Sequence, residues 1–224
     1  MVKALVLRTA GTNCDGETVH ALHLSGAKVQ VMHLSELSRN PQQLDDYSIL
    51  VIPGGFSYGD DVAAGRILAN ELKFRMGGAL RDFVRRKKMV IGICNGFQVM
   101  VKAGLLPGLD ADDFSQTVTL AQNDSGRFQC EWVKMKKEKS RAHWLKRMPA
   151  AFVLPIAHGE GKFMTMTPAL LKTIEKNAQV VFRYSGKNPN GSVSAIAACC
   201  SHDGNVVGMM PHPERFVTPY QHPN

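Results

Sequence analysis

Short, unbroken apolar runs alternate with helical spacings through the first half of the chain. Ala4–Leu7, Ser48–Ile52 and Met89–Ile93 are continuous apolar segments rich in β-formers, and the positions Val29, Val31 and Leu34 read as a further strand. Between them, Val19, Leu22 and His23 begin a helical spacing that stops at Gly26. A polar loop, Thr9 to Gly16, precedes it, and Pro53-Gly54-Gly55 closes the third run. Ile67 to Arg86 is predicted helical with an interruption at Gly77-Gly78, and Phe97 to Ala103 helical up to Gly104. Continuous strands separated by helices argue for a parallel sheet covered on both faces.

The second half is less regular. Val118–Leu120 and Phe128–Val133 are predicted strands on either side of a turn at Asn123-Asp124-Ser125-Gly126. Ala195–Cys200 and Val206–Met209 flank Ser201-His202-Asp203-Gly204-Asn205, a hairpin signal in which Asp-Gly supplies the positive φ of the turn. The expectation is an α/β fold: an open, mostly parallel, flavodoxin-like sheet with helices on both faces and antiparallel strands at one edge. Without an internal repeat or low-complexity linker, residues 1–224 are expected to form one domain.

Composition narrows the functional classes. Of 224 residues, 44% are hydrophobic and 21% charged, which excludes a largely disordered chain, a collagen and a disulfide scaffold. No apolar stretch is long enough for a transmembrane helix, and the first apolar run is too short for a signal peptide. Five cysteines without paired C-x-x-C spacing argue against a zinc knuckle and for a cytoplasmic protein with reduced thiols.

The net charge of +8 is concentrated in two clusters, Lys134 to Arg147 and Arg81 to Lys88. Solvated faces, docking of an acidic partner and steering of a phosphorylated substrate are all open readings. Nucleic-acid binding lacks an accompanying aromatic or zinc-finger motif.

Four segments carry candidate chemistry. Gly92-Ile93-Cys94-Asn95-Gly96 follows an apolar strand and opens a helix, the nucleophile-elbow arrangement with sulfur in place of a hydroxyl. There a helix dipole is expected to lower the thiol pKa, and the Asn95 N–H is free to face an oxyanion. A buried structural cysteine is the alternative. Gly54 and Gly55, after the strand Ser48–Ile52, either offer a second oxyanion N–H or form a plain turn. In Pro211-His212-Pro213-Glu214-Arg215, an extended backbone would put His212 and Glu214 on one face, so that the carboxylate holds the imidazole tautomer. A salt-bridged surface histidine is the alternative there, and a zinc site lacks two convergent ligands.

The fourth segment, Pro155-Ile156-Ala157-His158-Gly159-Glu160-Gly161, reads as a shaped loop near a ligand. Its His158 is either a second candidate base or a structural histidine. Neither a phosphate-binding loop nor a dinucleotide fingerprint is present, so an ATP-driven step would belong elsewhere.

With these residues placed, the chain resembles the class I, triad-type glutamine amidotransferases. Within them it is most similar to the glutaminase subunits of phosphoribosylformylglycinamidine synthases of purine synthesis. The matching stretches run in order over nearly the whole chain. They are Gly11–Asp15, Pro53–Asp60, Gly92–Gln98, Ala157–Gly161, Asn190–Ser192 and Gly208–Arg215. Ten residues follow Glu214, where members often continue into a helix; Lys134 to Arg147 matches no family motif, and Arg39–Gln43 reads as a small insertion.

The resemblance implies that Cys94 forms a γ-glutamyl thioester, with His212 as acid and base and Glu214 as its partner. It implies that Gly54, Gly55, Asn95, Gln98, His158 and Gly159 bind substrate or oxyanion. Ammonia would pass to a large ATP-dependent synthetase subunit, which makes the amidine from formylglycinamide ribonucleotide, with a small bridging subunit usual. No cofactor or metal is expected in this chain, ATP and magnesium belonging to the synthetase, and neither nucleic acid nor membrane is an expected partner. An amidotransferase or cysteine hydrolase of another pathway, and a non-enzymatic nucleic-acid-binding role, are the rival functions.

Overall fold

A computed structural model describes residues 1–60, 63–109 and 114–223. The parallel block is built from β1 (Lys3–Arg8), β2 (Lys28–His33), β3 (Ile49–Ile52) and β4 (Met89–Ile93). Helix α1 (Asp15–Leu24) joins the first two strands, and α2 is the short Leu34–Leu37 turn of helix after β2. Leu34, expected at the end of the second strand, instead starts this helix. The His33 ring accepts from the Ser35 N–H and caps it, and Leu34 and Leu37 are buried. Residues Pro41–Asp46 form a 3-10 turn that inserts Leu44 into the core.

Helix α3 (Arg66–Arg85) runs unbroken through Gly77-Gly78, against the expected interruption. Each glycine costs a helix about 1 kcal/mol, whereas Leu72, Met76, Leu80 and Phe83 all bury on one face, each contributing about 1.5–3 kcal/mol. Helix α4 (Asn95–Lys102) follows β4.

The second half adds β5 (Val118–Ala121), β6 (Gln129–Lys137), β7 (Ala151–His158), β8 (Lys162–Thr165), α5 (Pro168–Lys176), β9 (Val180–Tyr184), β10 (Ile196–Cys200) and β11 (Val206–Met209). Nine strands form one sheet in the order β2-β1-β3-β4-β11-β10-β9-β6-β7. The pairs from β2 to β11 are parallel and those from β11 to β7 antiparallel. The predicted hairpin is the antiparallel β10–β11 pair, Cys200 facing Val207. The two strands flanking Asn123–Gly126 do not pair. β5 joins β8 in a separate two-stranded sheet, whereas β6 belongs to the large one.

Pro155 to His158, expected in a loop, lie within β7, which is an edge strand and so tolerates a proline. The long β6–β7 ribbon reaches back over the carboxyl ends of the parallel strands. The Pro155 carbonyl there accepts from the His212 N–H at 2.9 Å.

The Arg81 to Lys88 cluster and the Lys137 to Arg147 part of the other lie toward the opposite, amino edge, whereas Lys134 sits beside the end of β9. Arg85 ends α3 just before β4 begins, and the Lys87 ammonium pairs with Asp203 in the β10–β11 turn. Trp144 donates to the Gly204 carbonyl of that turn at 3.0 Å. Lys137 spends its ammonium on the carbonyls of Leu145, Lys146 and Met148, and Arg141 donates to the Asn177 carbonyl. No helix among the described residues is long and apolar enough to cross a membrane.

Asn205 ties the same turn to the end of α3, donating to the Val84 and Lys88 carbonyls, each at 3.0 Å. Asn205→Ala removes both bonds, although the Val84 carbonyl keeps the Lys87 N–H, and should lower unfolding stability by about 1–2 kcal/mol, read as a reduced urea midpoint at unchanged slope.

Candidate active site

The carboxyl ends of β1, β3, β4 and β11 carry Cys14, Gly54-Gly55, Cys94 and His212 respectively, on the side of a parallel sheet where sites form. Cys94 sits between β4 and α4 with φ 50° and ψ −105°, an unfavourable conformation for any residue with a Cβ. Close packing holds it there. A Cβ on Gly96 would lie 1.9 Å from the Ile52 carbonyl oxygen, so only glycine lets the first turn of α4 rest against β3. The Cys94 N–H donates to Met209 O at 2.8 Å, locking the elbow to β11.

His212 and Glu214 are joined as expected, Nδ1 to Oε1 at 2.6 Å, and both are buried. The route differs from the extended segment read in the sequence. Pro213–Arg215 form a 3-10 turn, which folds the carboxylate back beneath the ring. His212 Nε2 is buried without a partner, as is Glu214 Oε2. Gly54 abuts the imidazole: a Cβ there would lie 2.9 Å from His212 Cε1 and 3.1 Å from Cys14 Sγ.

Cys94 is the third member by position, but it makes no hydrogen bond to His212; its thiol donates to the Ala157 carbonyl at 3.5 Å. The expected depression of its pKa is reversed. Burial pushes the Cys94 thiol up to about 12, with Cys14 and Glu214 adding to the rise, and the Asn95 N–H and Arg215 only partly oppose it. The dipole at the start of α4 loses to desolvation, so the sulfur is held as a neutral thiol.

The remaining predicted residues frame this centre. Asn95 receives the Ser57 N–H on its carbonyl and donates its amide to Asp60 and to Gln98 Oε1. Gln98 donates to the Glu160 carbonyl at 2.6 Å, so its amide shapes the loop after β7 as well as facing the site. His158 is buried, its Nδ1 on Asn123 Oδ1 at 3.1 Å. Because that oxygen only accepts, Nδ1 carries the proton. The Gly159 carbonyl accepts from the Asn123 N–H at 2.9 Å. His158 has no carboxylate partner and burial, then the charge of His212, lowers its pKa to about 4, so it stays a neutral fixture.

Sequence reasoning gave no role to Cys14, Asp60, Asn123, Ala157 or Arg215, although most stand inside the matching motifs. Their contacts are long-range, and no local pattern announces them. Cys14, His212 and Glu214 present ligand-type atoms within 4.8 Å of one another. The guanidinium of Arg215, 2.9 Å from Cys14 Sγ, already supplies positive charge to that cluster, and the imidazole and carboxylate bind each other. All five cysteines are free thiols.

The profile of the CobB/CobQ-like glutamine amidotransferase domain matches residues 1–224. The chain belongs to this family. Among curated relatives, the phosphoribosylformylglycinamidine synthase subunit PurQ of Treponema denticola is 42% identical, with 96% of this chain and 88% of the relative covered. The protein of the same name from Dehalococcoides mccartyi is 41% identical over 99% of this chain and 88% of its own length. Among solved structures, a chain of PurLQS from Thermotoga maritima superposes with a TM-score of 0.78 at 34% identity, covering 98% of this chain and 91% of that one. The fold is thus that of the glutamine amidotransferases, as the sequence indicated, and the chain is a glutamine amidotransferase of the PurQ type.

A neutral, buried His158 has a thermodynamic signature. Between its native pKa of about 4 and its unfolded value of 6.5, the unfolded chain binds a proton that the native state refuses. Stability therefore falls as pH is lowered through that window, by up to about 3 kcal/mol, and is unaffected above it. His158→Gln should flatten the decline in melting temperature between pH 6.5 and 4.5 relative to the parent chain.

Proposed function

We propose that this chain is the glutaminase subunit of a phosphoribosylformylglycinamidine synthase, releasing ammonia from glutamine for a separate synthetase. Family membership and the PurQ relatives support the pathway. The observation that carries the chemistry is the buried His212–Glu214 pair, whose open Nε2 lies in the same carboxyl-edge cluster as the strained Cys94.

Glutamine binding brings an amide carbon to the Cys94 sulfur. The thiol proton passes to His212 Nε2 as the sulfur attacks, which overcomes the high thiol pKa by transferring the proton within the reaction itself. Charge accumulates on the former amide oxygen, where the N–H groups of Asn95 and Gly55 receive it. His212 then gives the proton to the departing nitrogen, the carbon–nitrogen bond breaks, and ammonia leaves a γ-glutamyl thioester on Cys94. Water attacks the thioester while His212 takes its proton. The carbon–sulfur bond breaks, glutamate departs, and the thiolate recovers the proton. Glu214 holds the Nδ1–H throughout and stabilises the imidazolium that forms twice. Gly54 leaves room for the ring, whereas Gln98, Gly159 and His158 shape the pocket that receives the amino acid.

Ammonia would pass to a large ATP- and magnesium-dependent synthetase subunit that makes the amidine, with a small subunit bridging the two, in the cytosol. The PurLQS relative supports that division of labour. The single-domain reading belongs to the same proposal, one continuous sheet linking both halves of the chain.

Cys94→Ala in the reconstituted complex should cut glutamine-dependent amidine formation by roughly 10³-fold or more and leave ammonia-dependent formation at the parental rate. Loss of both activities, with the complex assembled, would remove Cys94 from the role of a dedicated glutaminase nucleophile.

A further inference from the structure

Glu160 stands between two glycines in the sequence, and the reaction above gives its carboxylate no role. It lines a cavity of about 580 Å³ that contains no member of the triad. The start of α3 contributes Arg66 and Asn70 to its walls, the end of α4 Lys102, and the segments flanking β5 Gln116 and Gln122. Its size is that of a small-ligand pocket, about 300–1,000 Å³, and these six side chains are all polar or charged.

Two short routes join this cavity to Cys94. The Cys94 thiol donates to the Ala157 carbonyl, three residues before Glu160. The Asn95 amide donates to Gln98 Oε1 at 3.0 Å, and the Gln98 amide in turn donates to the Glu160 carbonyl at 2.6 Å. Gln98 and Lys102 follow Cys94 at steps of four residues and so share one face of α4. Side chains on a helix lean back toward its start, which carries the Lys102 ammonium toward Gln98 and Glu160. Its Nζ donates to the Ala64 carbonyl at 2.6 Å and stops 3.8 Å from Glu160 Oε2.

That separation is too long for a hydrogen bond, so the ammonium and the carboxylate can each take a further partner. Arg66 adds a second positive charge near Lys102 and forms no ion pair among the described residues. Two cations and a carboxylate on facing walls complement a ligand that carries one negative and one positive group on the same carbon. The α-carboxylate and α-ammonium of an amino acid fit that description.

We propose that this cavity seats the head of the glutamine substrate. Glu160 accepts from the α-ammonium, Lys102 and Arg66 donate to the α-carboxylate, and the side-chain amide extends past Gln98 to Cys94. The inference rests on the glutaminase reading above and gives it a specificity site. Bound glutamine exchanges the loose Lys102–Glu160 contact for two charge-assisted hydrogen bonds.

The test is competition against glutamine in the assembled complex, read as glutamate release. One inhibitor is glutaramate, which keeps the carboxylate and amide but lacks the α-ammonium. The other is γ-aminobutyramide, which keeps the ammonium and amide but lacks the carboxylate. Glu160→Gln should raise the KM for glutamine and the inhibition constant of γ-aminobutyramide about 10-fold, and leave that of glutaramate unchanged. Lys102→Met and Arg66→Met should do the converse, weakening glutamine and glutaramate while sparing γ-aminobutyramide. A merely structural Lys102–Glu160 pair would move both inhibitors together.

A Glu160→Gln complex in which both inhibition constants shift alike, or neither shifts, would overturn the proposal. Lys102 also holds the Ala64 carbonyl. Should Lys102→Met fail to assemble, an unmoved glutaramate constant in Arg66→Met overturns the carboxylate seat equally. A parent complex that releases no glutamate would count against the glutaminase reading itself, a separate outcome.

Discussion

The contact between the first turn of α4 and the end of β3 governs this molecule. Gly96 lies against the Ile52 carbonyl so closely that no side chain fits between them. That approach forces Cys94 into its positive-φ elbow, lifts the sulfur out of the helix, and brings the Cys94 N–H onto β11 through Met209. Because β11 leads directly to His212, one backbone constraint sets both the pose of Cys94 and its spacing from His212. Strain of this kind costs on the order of 1–3 kcal/mol and persists because the surrounding parallel strands over-determine it.

The electrostatics of the site then follow from burial more than from dipoles. Cys94 and His158 are both shifted toward their neutral forms chiefly by desolvation. Burial therefore holds both the Cys94 sulfur and the His158 ring in their uncharged forms. A neutral thiol is a poor nucleophile on its own, so in the proposed reaction its proton moves to His212 Nε2 as substrate is attacked.

The antiparallel half of the sheet is what completes the pocket. β7 stands at the edge in strand order, yet its Pro155 and Ala157 carbonyls reach His212 and Cys94. The long β6–β7 ribbon accomplishes this by bending over the carboxyl ends of the parallel strands. The loop that follows it is secured by Asn123, which bonds both to His158 and to the Gly161 N–H, and by Gln98 from α4. At the opposite edge, Lys88, Lys137 and Arg141 cap carbonyls, while Arg86 pairs with Asp45 and Lys87 with Asp203.

Much of this was legible along the chain. Local rules governed the strands Lys3–Arg8 and Met89–Ile93, the β10–β11 hairpin, the elbow around Cys94 and the pairing of His212 with Glu214. Apolar runs, glycine at a strained turn and a two-residue spacing each act over a few bonds. Where an expectation missed, a non-local term outweighed the local one. Core burial carried α3 through Gly77-Gly78, a 3-10 turn and not an extended segment delivered Glu214, and β7 absorbed what had read as a loop. Desolvation reversed the expected pKa of Cys94 for the same reason. Short-range sterics, written along the chain, placed the candidate groups Cys94 and His212 just past the ends of β4 and β11. Only the tertiary structure decided how they are charged and what faces them, because solvent exclusion and contacts between residues as far apart as Cys14 and Arg215 exist only once the chain is packed.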